Sequence, residues 1–358
     1  MLNLKSLIHL IKKDELIGFD AGSSLTKIVH LKSLAGNKFS LEKALTFDLG
    51  YGEEDQITMD EFAEEMNKQG LTGVAISASI EDTSLRIRRM NLPKMPERDL
   101  KEAIRWNFRE HVDCPIDEYK VAYTDLEPFN KGDRMPLVAY GISEASVEKA
   151  KLWYKQVGLR VTSLEAAAVA LHAAFDYNVG WKEGKISAML NLGKKVSNFV
   201  VLGKSRLLFS RPLAGVNEDS VIQLISQQLN ITKTEAHATL GDFVNQKLKF
   251  EGEDKIKFEK IISNYMSELV IEIQRSIDAF CIMFDIDALD NLYLCGGGAM
   301  LPNLGEHLSK SLGIQTEGFN SFARIHTRQL GDPDLEKSAP LFAVALGLAL
   351  PRLKKRRI

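Results

Sequence analysis

The sequence predicts an α/β protein whose two similar domains face each other across a ligand-binding cleft. Three observations support this: a strand–turn–strand motif in the first 30 residues, a second copy of it near the middle, and a strand followed by three glycines in the last quarter. A duplicated motif in two halves of one chain is typical of paired domains that offer equivalent loops to one ligand. The length of 358 residues also exceeds what one hydrophobic core commonly supports.

The first motif covers residues 17–29, in which two apolar strands flank a turn of small residues. Such a turn suits a phosphate group, because Gly22 lets the backbone approach closely and Lys27 supplies positive charge. Asp20, just before the turn, is placed to hold Mg²⁺ through water. The hydroxyls expected to donate to phosphate oxygens are those of Ser23 and Ser24. The alternative is an ordinary β-hairpin without a ligand.

The second motif covers residues 189–201 and has the same layout. Asn191 occupies the place of the acid, and Gly193 the place of the turn glycine. Lys194 and Lys195 in this turn could meet phosphate charge directly, although exposed turn lysines are the plainer interpretation. Two unrelated hairpins that align by chance remain the alternative to a duplication.

The third motif is a strand at residues 291–295, a glycine loop, and a helix running to about residue 312. A flat polar ligand can lie against bare backbone where consecutive glycines precede a helix. The alternative is a tight strand-to-helix connection without a ligand. The loop residues predicted to contact the ligand are Gly296, Gly297, Gly298 and Ala299.

The segments between these motifs alternate between strand and helix patterns, as an α/β fold requires. The strand at 84–90 alternates apolar and basic residues, and the helix at 97–112 has acids in its first turn and apolar residues on one face. The other elements predicted in the first half are strands at 39–49 and 73–78, a helix at 58–69, a strand pair at 119–142 and a helix at 143–157.

In the second half, a strand at 206–213 is followed by a helix at 217–229. The next helix has a capping box, in which Thr232 is the N-cap and Glu235 is its partner. The long helix at 258–284 has apolar residues at helical spacing and is predicted to be core. A closing helix is expected at 340–350.

Composition excludes several classes of protein. A formal charge of −2 gives no overall basic field for nucleic acid. The three cysteines, Cys114, Cys281 and Cys295, are widely spaced, which argues against a zinc site or a disulfide framework. No stretch approaches the roughly 20 apolar residues of a membrane span, and no signal peptide is recognised. A cytoplasmic location is therefore expected.

The two ends of the sequence are cationic. In residues 1–13, Leu4, Leu7, Ile8 and Ile11 share one helical face with lysines opposite, and residues 352–358 are mostly Lys and Arg. Either segment could touch anionic lipid or a membrane protein. A packed helix and a solubilising tail are the alternatives.

Residues 85–96, 100–106 and 119–126, together with the motifs above, resemble the PilM family of type IV pilus assembly proteins over nearly the whole chain. That family is similar to the cell-division protein FtsA. The resemblance implies an actin-like fold, a duplicated RNase H-like two-domain architecture, with an FtsA-type 1C subdomain. The implied boundaries are 1–83, 161–182 and 330–358 for subdomain 1A, 84–160 for 1C, 183–225 and 270–329 for 2A, and 226–269 for 2B.

The resemblance also implies a cytoplasmic adaptor peripheral to the inner membrane. ATP, with Mg²⁺, would occupy the interdomain cleft, and the N-terminal cytoplasmic peptide of a PilN-like membrane protein would dock between 1A and 1C. Pilus motor ATPases or a platform protein are further candidate partners, as is self-association, whereas nucleic acid is not expected. The residues predicted to border the peptide groove are Arg86, Arg88, Arg89 and Met90. A solvated strand face is the alternative.

Two departures from the family pattern concern the cleft. Asn191 replaces the usual aspartate of the second hairpin, and an amide cannot act as a general base. In the family, the helix after Thr232 carries Glu-Ala-Glu beside the nucleotide; here Glu235 keeps the first acid and His237 replaces the second. These changes predict weak or absent ATPase activity. The alternatives are an active ATPase or kinase, an FtsA-like filament scaffold, and a type II secretion L-type component.

Overall fold

The computed structural model describes residues 15–23, 25–48, 57–82, 84–112, 114–126, 132–204, 206–248, 252–327 and 333–351. The predicted N-terminal helix, the basic segment 352–358 and Ser24 lie outside these residues. Among the described helices, none has the length and apolar character needed to cross a bilayer.

The described chain folds into three β-sheets and the helices packed on them. In chain order the strands are β1 (Glu15–Ala21), β2 (Leu25–Leu34), β3 (Lys38–Asp48), β4 (Ala75–Ser79), β5 (Arg86–Pro93), β6 (Tyr119–Asp125), β7 (Arg134–Ser143), β8 (Arg160–Glu165), β9 (Ser187–Leu192), β10 (Ser197–Gly203), β11 (Arg206–Leu213), β12 (Asn291–Cys295), β13 (Gln315–Gly318) and β14 (His326–Thr327). The helices are α1 (Met59–Lys68), α2 (Glu97–Phe108), α3 (Glu144–Gln156), α4 (Ala167–Asn178), α5 (Glu218–Leu229), α6 (Lys233–Val244), α7 (Gly252–Phe284), α8 (Leu304–Leu312), α9 (Pro333–Ser338) and α10 (Ala343–Ala349).

The two larger sheets repeat one topology. The first has the order β14-β3-β2-β1-β4-β8, and the second has the order β11-β10-β9-β12-β13. In each, three antiparallel strands are followed by two parallel ones, and the first sheet also has β14 at its edge, parallel to β3. The register also matches, because Asp20 lies opposite Lys27 in the first hairpin and Asn191 lies opposite Asn198 in the second. The predicted duplicated α/β fold is confirmed.

The third sheet, with the order β5-β7-β6, is inserted between β4 and β8. One of its faces packs on α2, with Ile104 and Phe108 in the shared core. The other face contacts the second domain, because Ile87 and Tyr140 pack against the core of that domain. The following helix, α3, instead packs with the first sheet through Tyr154. The helix that follows the small sheet in the chain therefore packs on the first domain.

Two helices cross the middle of the molecule at close range. A Cβ atom added to Gly18 of β1 would lie 1.9 Å from the carbonyl oxygen of Ala345 in α10, and one added to Gly347 would lie 1.9 Å from the carbonyl oxygen of Ala170 in α4. Only glycine allows backbones to approach so closely. These contacts fix β1, and therefore the first hairpin, relative to both central helices.

Several helix ends differ from the prediction. The helix after the glycine loop begins at Leu304, because Pro302 disfavours helical geometry at Leu301, which is extended. A 3₁₀ turn at Gly297–Met300 precedes it. The long helix α7 starts at Gly252, six residues before the predicted start at 258. The closing helix likewise begins with a 3₁₀ turn, Ala339–Phe342.

Candidate functional site

The three predicted motifs meet at one cavity of about 230 Å³. This is slightly below the range of roughly 300 Å³ upward that is usual for small-molecule pockets. The predicted residues that line it are Asp20, Gly22, Ser23 and Lys27 from the first hairpin, Asn191, Gly193, Lys194 and Lys195 from the second, and Gly296 and Gly297 from the loop. The structure therefore brings together residues separated by up to 277 positions in the sequence, from Asp20 to Gly297.

The first hairpin holds its acid firmly. An oxygen of Asp20 accepts a hydrogen bond from Ser79 Oγ at 2.9 Å, and Lys27 Nζ lies 3.3 Å from the other oxygen. The two charged side chains are only 13% and 14% exposed. A Cβ atom on Gly22 would lie 2.7 Å from Lys27 Nζ, so a side chain there would displace the lysine. The Gly22 N–H donates to the Asp20 carbonyl oxygen at 3.0 Å.

The second hairpin is anchored to the N-terminus of α5. The N–H groups of Glu218 and Asp219 donate to the carbonyl oxygens of Gly193 and Lys194, at 3.1 and 3.0 Å. Asn217, the N-cap of α5, donates its side-chain amide to the carbonyl oxygen of Lys195 at 2.7 Å. These bonds fix the turn and its two lysines at the cavity.

The glycine loop packs tightly against the second hairpin. Gly296 has a φ of 81°, and a Cβ atom there would lie 2.5 Å from the carbonyl oxygen of Leu192 and 2.6 Å from Asn191 Oδ1. A Cβ atom on Gly298 would lie 2.6 Å from the Leu192 Cβ. Gly297 faces the cavity, whereas Gly298 and Ala299 are not among its lining residues. Of the four predicted loop residues, Gly296 and Gly297 line the cavity, and Gly298 packs against Leu192.

Glu81, two residues after the end of β4, lines the cavity and was not among the predicted residues. Glu81 is exposed to solvent in the cleft, but the protein around its carboxyl group removes part of the hydration of the charged form. This desolvation raises the pKa of Glu81 to about 7; the negative charge of Asp20 adds to the rise, and Lys27 opposes it. Since β4 runs parallel to β1, an acid at its carboxyl end falls beside Asp20, and that is the signal that could have revealed it.

On the other side of the cavity, Glu218 and His237 lie together, with the His237 Nε2 atom 3.4 Å from a Glu218 oxygen. Glu235, predicted to contribute to the pocket, does not line it. Its carboxylate accepts hydrogen bonds from the backbone N–H and hydroxyl of Thr232, both at 2.8 Å. Side chains two positions apart in a helix are separated by about 200° around its axis, so Glu235 and His237 point in different directions.

The four predicted groove residues of β5 have different environments. Met90 is 8% exposed and belongs to the core under α2, so it borders no surface groove. Arg89 extends the other way and stacks 4.5 Å from the ring centroid of Phe284 in the second domain. Arg86 and Arg88 remain partly exposed; Arg86 Nε donates to the carbonyl oxygen of His111 at 3.2 Å.

Comparison with known proteins agrees with this architecture. A family model described as type IV pilus assembly protein PilM matches residues 18–353. A solved PilM–PilN type IV pilus biogenesis complex is similar to this chain, with a TM-score of 0.78, 21% identity, and coverage of 94% of this chain and 97% of that chain. The ethanolamine utilization protein EutJ from Carboxydothermus hydrogenoformans gives a TM-score of 0.52 at 13% identity, covering 95% of this chain and 90% of EutJ.

No curated sequence matched the chain. The fold is therefore actin-like on the evidence of its duplicated sheets and of these solved structures. Since the family model covers nearly the full length, the chain belongs to the type IV pilus assembly protein PilM family.

Proposed function

We propose that this protein is a nucleotide-binding adaptor of a type IV pilus assembly platform in the cytoplasm. In this role it would hold ATP in the cleft and the N-terminal cytoplasmic peptide of a PilN-like inner-membrane protein beside the small subdomain. The observation that carries the nucleotide part is the convergence of both hairpins and the glycine loop on one cavity with Lys27, Lys194 and Lys195 in its lining. Lysine side chains and backbone N–H groups are the donors that phosphates prefer.

The residues present also fit a magnesium ion. Asp20 offers a fixed carboxylate, and Glu81 offers a second one in the same cavity. Within the described ranges, no group of three or more His, Cys, Asp or Glu could hold a metal ion by itself, so phosphate oxygens and water would complete the shell. When bound, Mg²⁺ would offset the negative charge of the phosphates.

The same geometry argues for slow turnover. Asn191, buried beside Gly296, cannot accept a proton from an attacking water. One observation favours a second candidate function, catalytic ATP hydrolysis: a carboxyl with a pKa near 7 in the cleft, Glu81, has the property expected of a general base. Hydrolysis that is measurable in the wild type and abolished in Glu81→Gln would support that candidate.

The partner part of the proposal is supported by the fold shared with the PilM–PilN complex and by the surface of the small subdomain. Trp106 on α2 is 65% exposed, with the Arg109 guanidinium 4.2 Å from its ring centroid. Exposed aromatic residues with stacked arginines are common at binding surfaces. Together with Arg86 and Arg88, they present a basic and aromatic face to a peptide.

The test is crosslinked co-purification of the tagged protein from cells, with mass spectrometry of the recovered proteins. We expect a small single-span membrane protein with a short cytoplasmic N-terminus, and we expect Arg86→Glu with Arg88→Glu to lose it. Lys255→Glu with Lys260→Glu on the exposed start of α7 is the matched control and should keep it. Recovery of only soluble enzymes, or equal recovery by both double variants, would contradict the proposal.

A further inference from the structure

The outer face of α7 carries exposed isoleucines along its whole length. Ile256, Ile271 and Ile282 are 67%, 51% and 83% exposed. At about 100° per residue, Ile256 and Ile282 lie within about 60° of Ile271 around the helix axis, so all three share one face. The opposite face of this 33-residue helix is buried in the core of the second domain. The described part of the chain therefore leaves open an apolar stripe about 39 Å long.

Polar residues occupy the spaces between these isoleucines. Lys260 and Asn264 lie before Ile271 in the helix, and Gln274 and Asp278 lie after it. All four are exposed, and each lies within about 60° of Ile271 around the axis. A spacing of three or four residues along the whole stripe is that of a helix face which packs on another helix. We call the following six residues the α7 seam: Ile256, Lys260, Asn264, Gln274, Asp278 and Ile282.

The α7 seam is complementary to itself when it is read in the opposite direction. From either end, an isoleucine is followed by a charged residue and then by an amide, and the two charges have opposite signs. A two-fold symmetric contact requires this property, because residue i then contacts residue j of the other copy and residue j contacts residue i. The pairs that share position 269 as their midpoint are Ile256 with Ile282, Lys260 with Asp278, and Asn264 with Gln274.

The two charges of the α7 seam are the ones that lack an ion-pair partner in the described part of their own chain. The other two lysines of α7, Lys255 and Lys257, pair with acids of the same helix. Lys260 and Asp278 make no such pair with a described residue. The Asp278 carboxylate accepts a hydrogen bond from Gln274 Nε2 at 2.8 Å, which holds it on the seam. Both charges are therefore open to a second chain.

Acidic residues beside the seam limit the strength of such a contact. Glu268 is exposed and lies on one flank, about 60° from Ile271, where it would meet Glu268 of a second copy near position 269. At each end, Glu253 would approach Asp285 of the second copy. The Glu253 carboxylate lies 3.8 Å from Lys257 Nζ, which offsets part of its charge. The acids thus lower the affinity without covering the seam.

We propose that the α7 seam binds the α7 seam of a second copy of this chain in antiparallel orientation and forms a two-fold symmetric dimer. A strip about 39 Å long and about 10 Å wide on each helix buries roughly 800 Å² in total. Stable protein interfaces begin at roughly 1,200 Å², so we expect a reversible dimer with a dissociation constant of roughly 100 µM. The contact uses neither nucleotide nor peptide and is independent of the proposed function.

The test is analytical ultracentrifugation of the purified 358-residue chain from about 10 to about 500 µM. We expect a monomer–dimer equilibrium. Lys260→Asp places like charges opposite each other in the dimer, and so does Asp278→Lys, so each should weaken the dimer by roughly 10-fold or more. An equimolar mixture of these two variants should recover association, because aspartate then faces lysine at both contacts.

Two matched controls separate the seam from the rest of the surface. Lys255→Asp changes an exposed lysine of the same helix that lies about 140° from Lys260 around the axis, and it should associate like the wild type. Ile282→Asp should abolish the dimer, whereas Leu152→Asp on α3, where the leucine is 57% exposed, should leave it intact. Circular dichroism and unfolding midpoints confirm that each variant is folded.

Three results would overturn the proposal. The first is a wild type that stays monomeric up to about 500 µM. The second is a mixture of Lys260→Asp and Asp278→Lys that associates no better than either variant alone. The third is equal weakening by the seam variants and their controls, which would assign any dimer to another surface.

Discussion

The two hairpins of this fold differ at one cross-strand pair. In the first, Asp20 and Lys27 form an ion pair that is almost excluded from solvent. In the second, the equivalent residues are Asn191 and Asn198, so both charges are absent. The neutral pair avoids burying an acid without a counterion, because no lysine stands opposite it. In the second hairpin, asparagine therefore stands both in the place of the acid and in the place of its lysine partner.

A double-mutant cycle tests this pairing. Asn191→Asp alone should lower the free energy of unfolding by roughly 1–3 kcal/mol, because the site is only 9% exposed. Adding Asn198→Lys should recover much of the loss, with a coupling energy of about 1 kcal/mol or more. Urea unfolding at neutral pH measures the free energy of unfolding of the wild type, both single variants and the double variant. Strictly additive effects would show that the two positions do not form a pair.

Glu81 predicts a dependence of stability on pH. Its folded-state pKa of about 7 exceeds its ordinary value of 4.5, so the folded protein holds this proton more tightly than the unfolded chain does. The resulting stability is full below pH 4.5 and is lost as the pH rises through 7. Glu81→Gln, which stays neutral, should therefore match the wild type at about pH 4.5 and be more stable at about pH 8. After allowance for solvent screening, we expect a difference of about 1 kcal/mol.

The control is Glu235→Gln, because hydrogen bonds from Thr232 lower the pKa of Glu235 and its charge favours the folded state. That variant should lose stability at about pH 8, the opposite direction. Urea unfolding at both pH values distinguishes the two. If Glu81→Gln were less stable than the wild type at the higher pH, the prediction would be wrong, because the ionised Glu81 carboxylate would then stabilise the folded protein.

Among the elements, the glycine loop shows why adjacent identical residues are not equivalent. A Cβ atom added to Gly296 or Gly298 would lie within 2.6 Å of a Leu192 atom, whereas one added to Gly297 would have a Glu218 oxygen, at 3.8 Å, as its nearest neighbour. Only Gly297 of these three therefore has space for a methyl group. Packing requires glycine at the first and third positions, whereas Gly297 lines the cavity without a packing constraint.

Alanine substitutions should separate these roles. Gly296→Ala should destabilise the fold by roughly 2 kcal/mol or more, since its φ is positive and a carbonyl oxygen blocks the space. Gly297→Ala is the matched neighbouring variant, and its free energy of unfolding should lie within about 0.5 kcal/mol of the wild-type value. It should nevertheless weaken nucleotide binding. Thermal unfolding and binding of a fluorescent ATP analogue provide the readouts. Equal destabilisation by both would mean that the loop is held differently in solution.

The element pattern also shows what a sequence can and cannot reveal. The duplicated hairpins are recognisable because each repeats small residues between apolar strands, and that repetition predicts the fold and eight of the eighteen residues that line the cavity. Glu81 was missed because its role depends on β4 lying next to β1, a contact between strands more than 50 residues apart. Met90 was misassigned because alternation marks two faces of a strand without showing what covers each position; α2 covers Met90, whereas Arg86 and Arg88 remain partly exposed.

At the scale of the whole molecule, the small subdomain contacts both domains. The helix that follows its sheet, α3, packs on the first domain. The face of its sheet opposite α2 packs on β11 and α7 of the second domain. The Arg206 side chain donates to the Asp125 carbonyl oxygen at this junction. The small subdomain therefore contacts both of the domains that border the cleft.

The stacking of Arg89 on Phe284 should contribute to this junction. Arg89→Ala removes a half-buried guanidinium and should cost about 1 kcal/mol, with faster hydrogen exchange in β5 and β11. Arg88→Ala is the neighbouring control, because adjacent strand residues point to opposite faces, and it should leave β11 exchange unchanged. Hydrogen–deuterium exchange with mass spectrometry resolves the two strands. Unchanged exchange in β11 for Arg89→Ala would mean that apolar packing by Ile87 and Tyr140 alone holds the small sheet against the second domain.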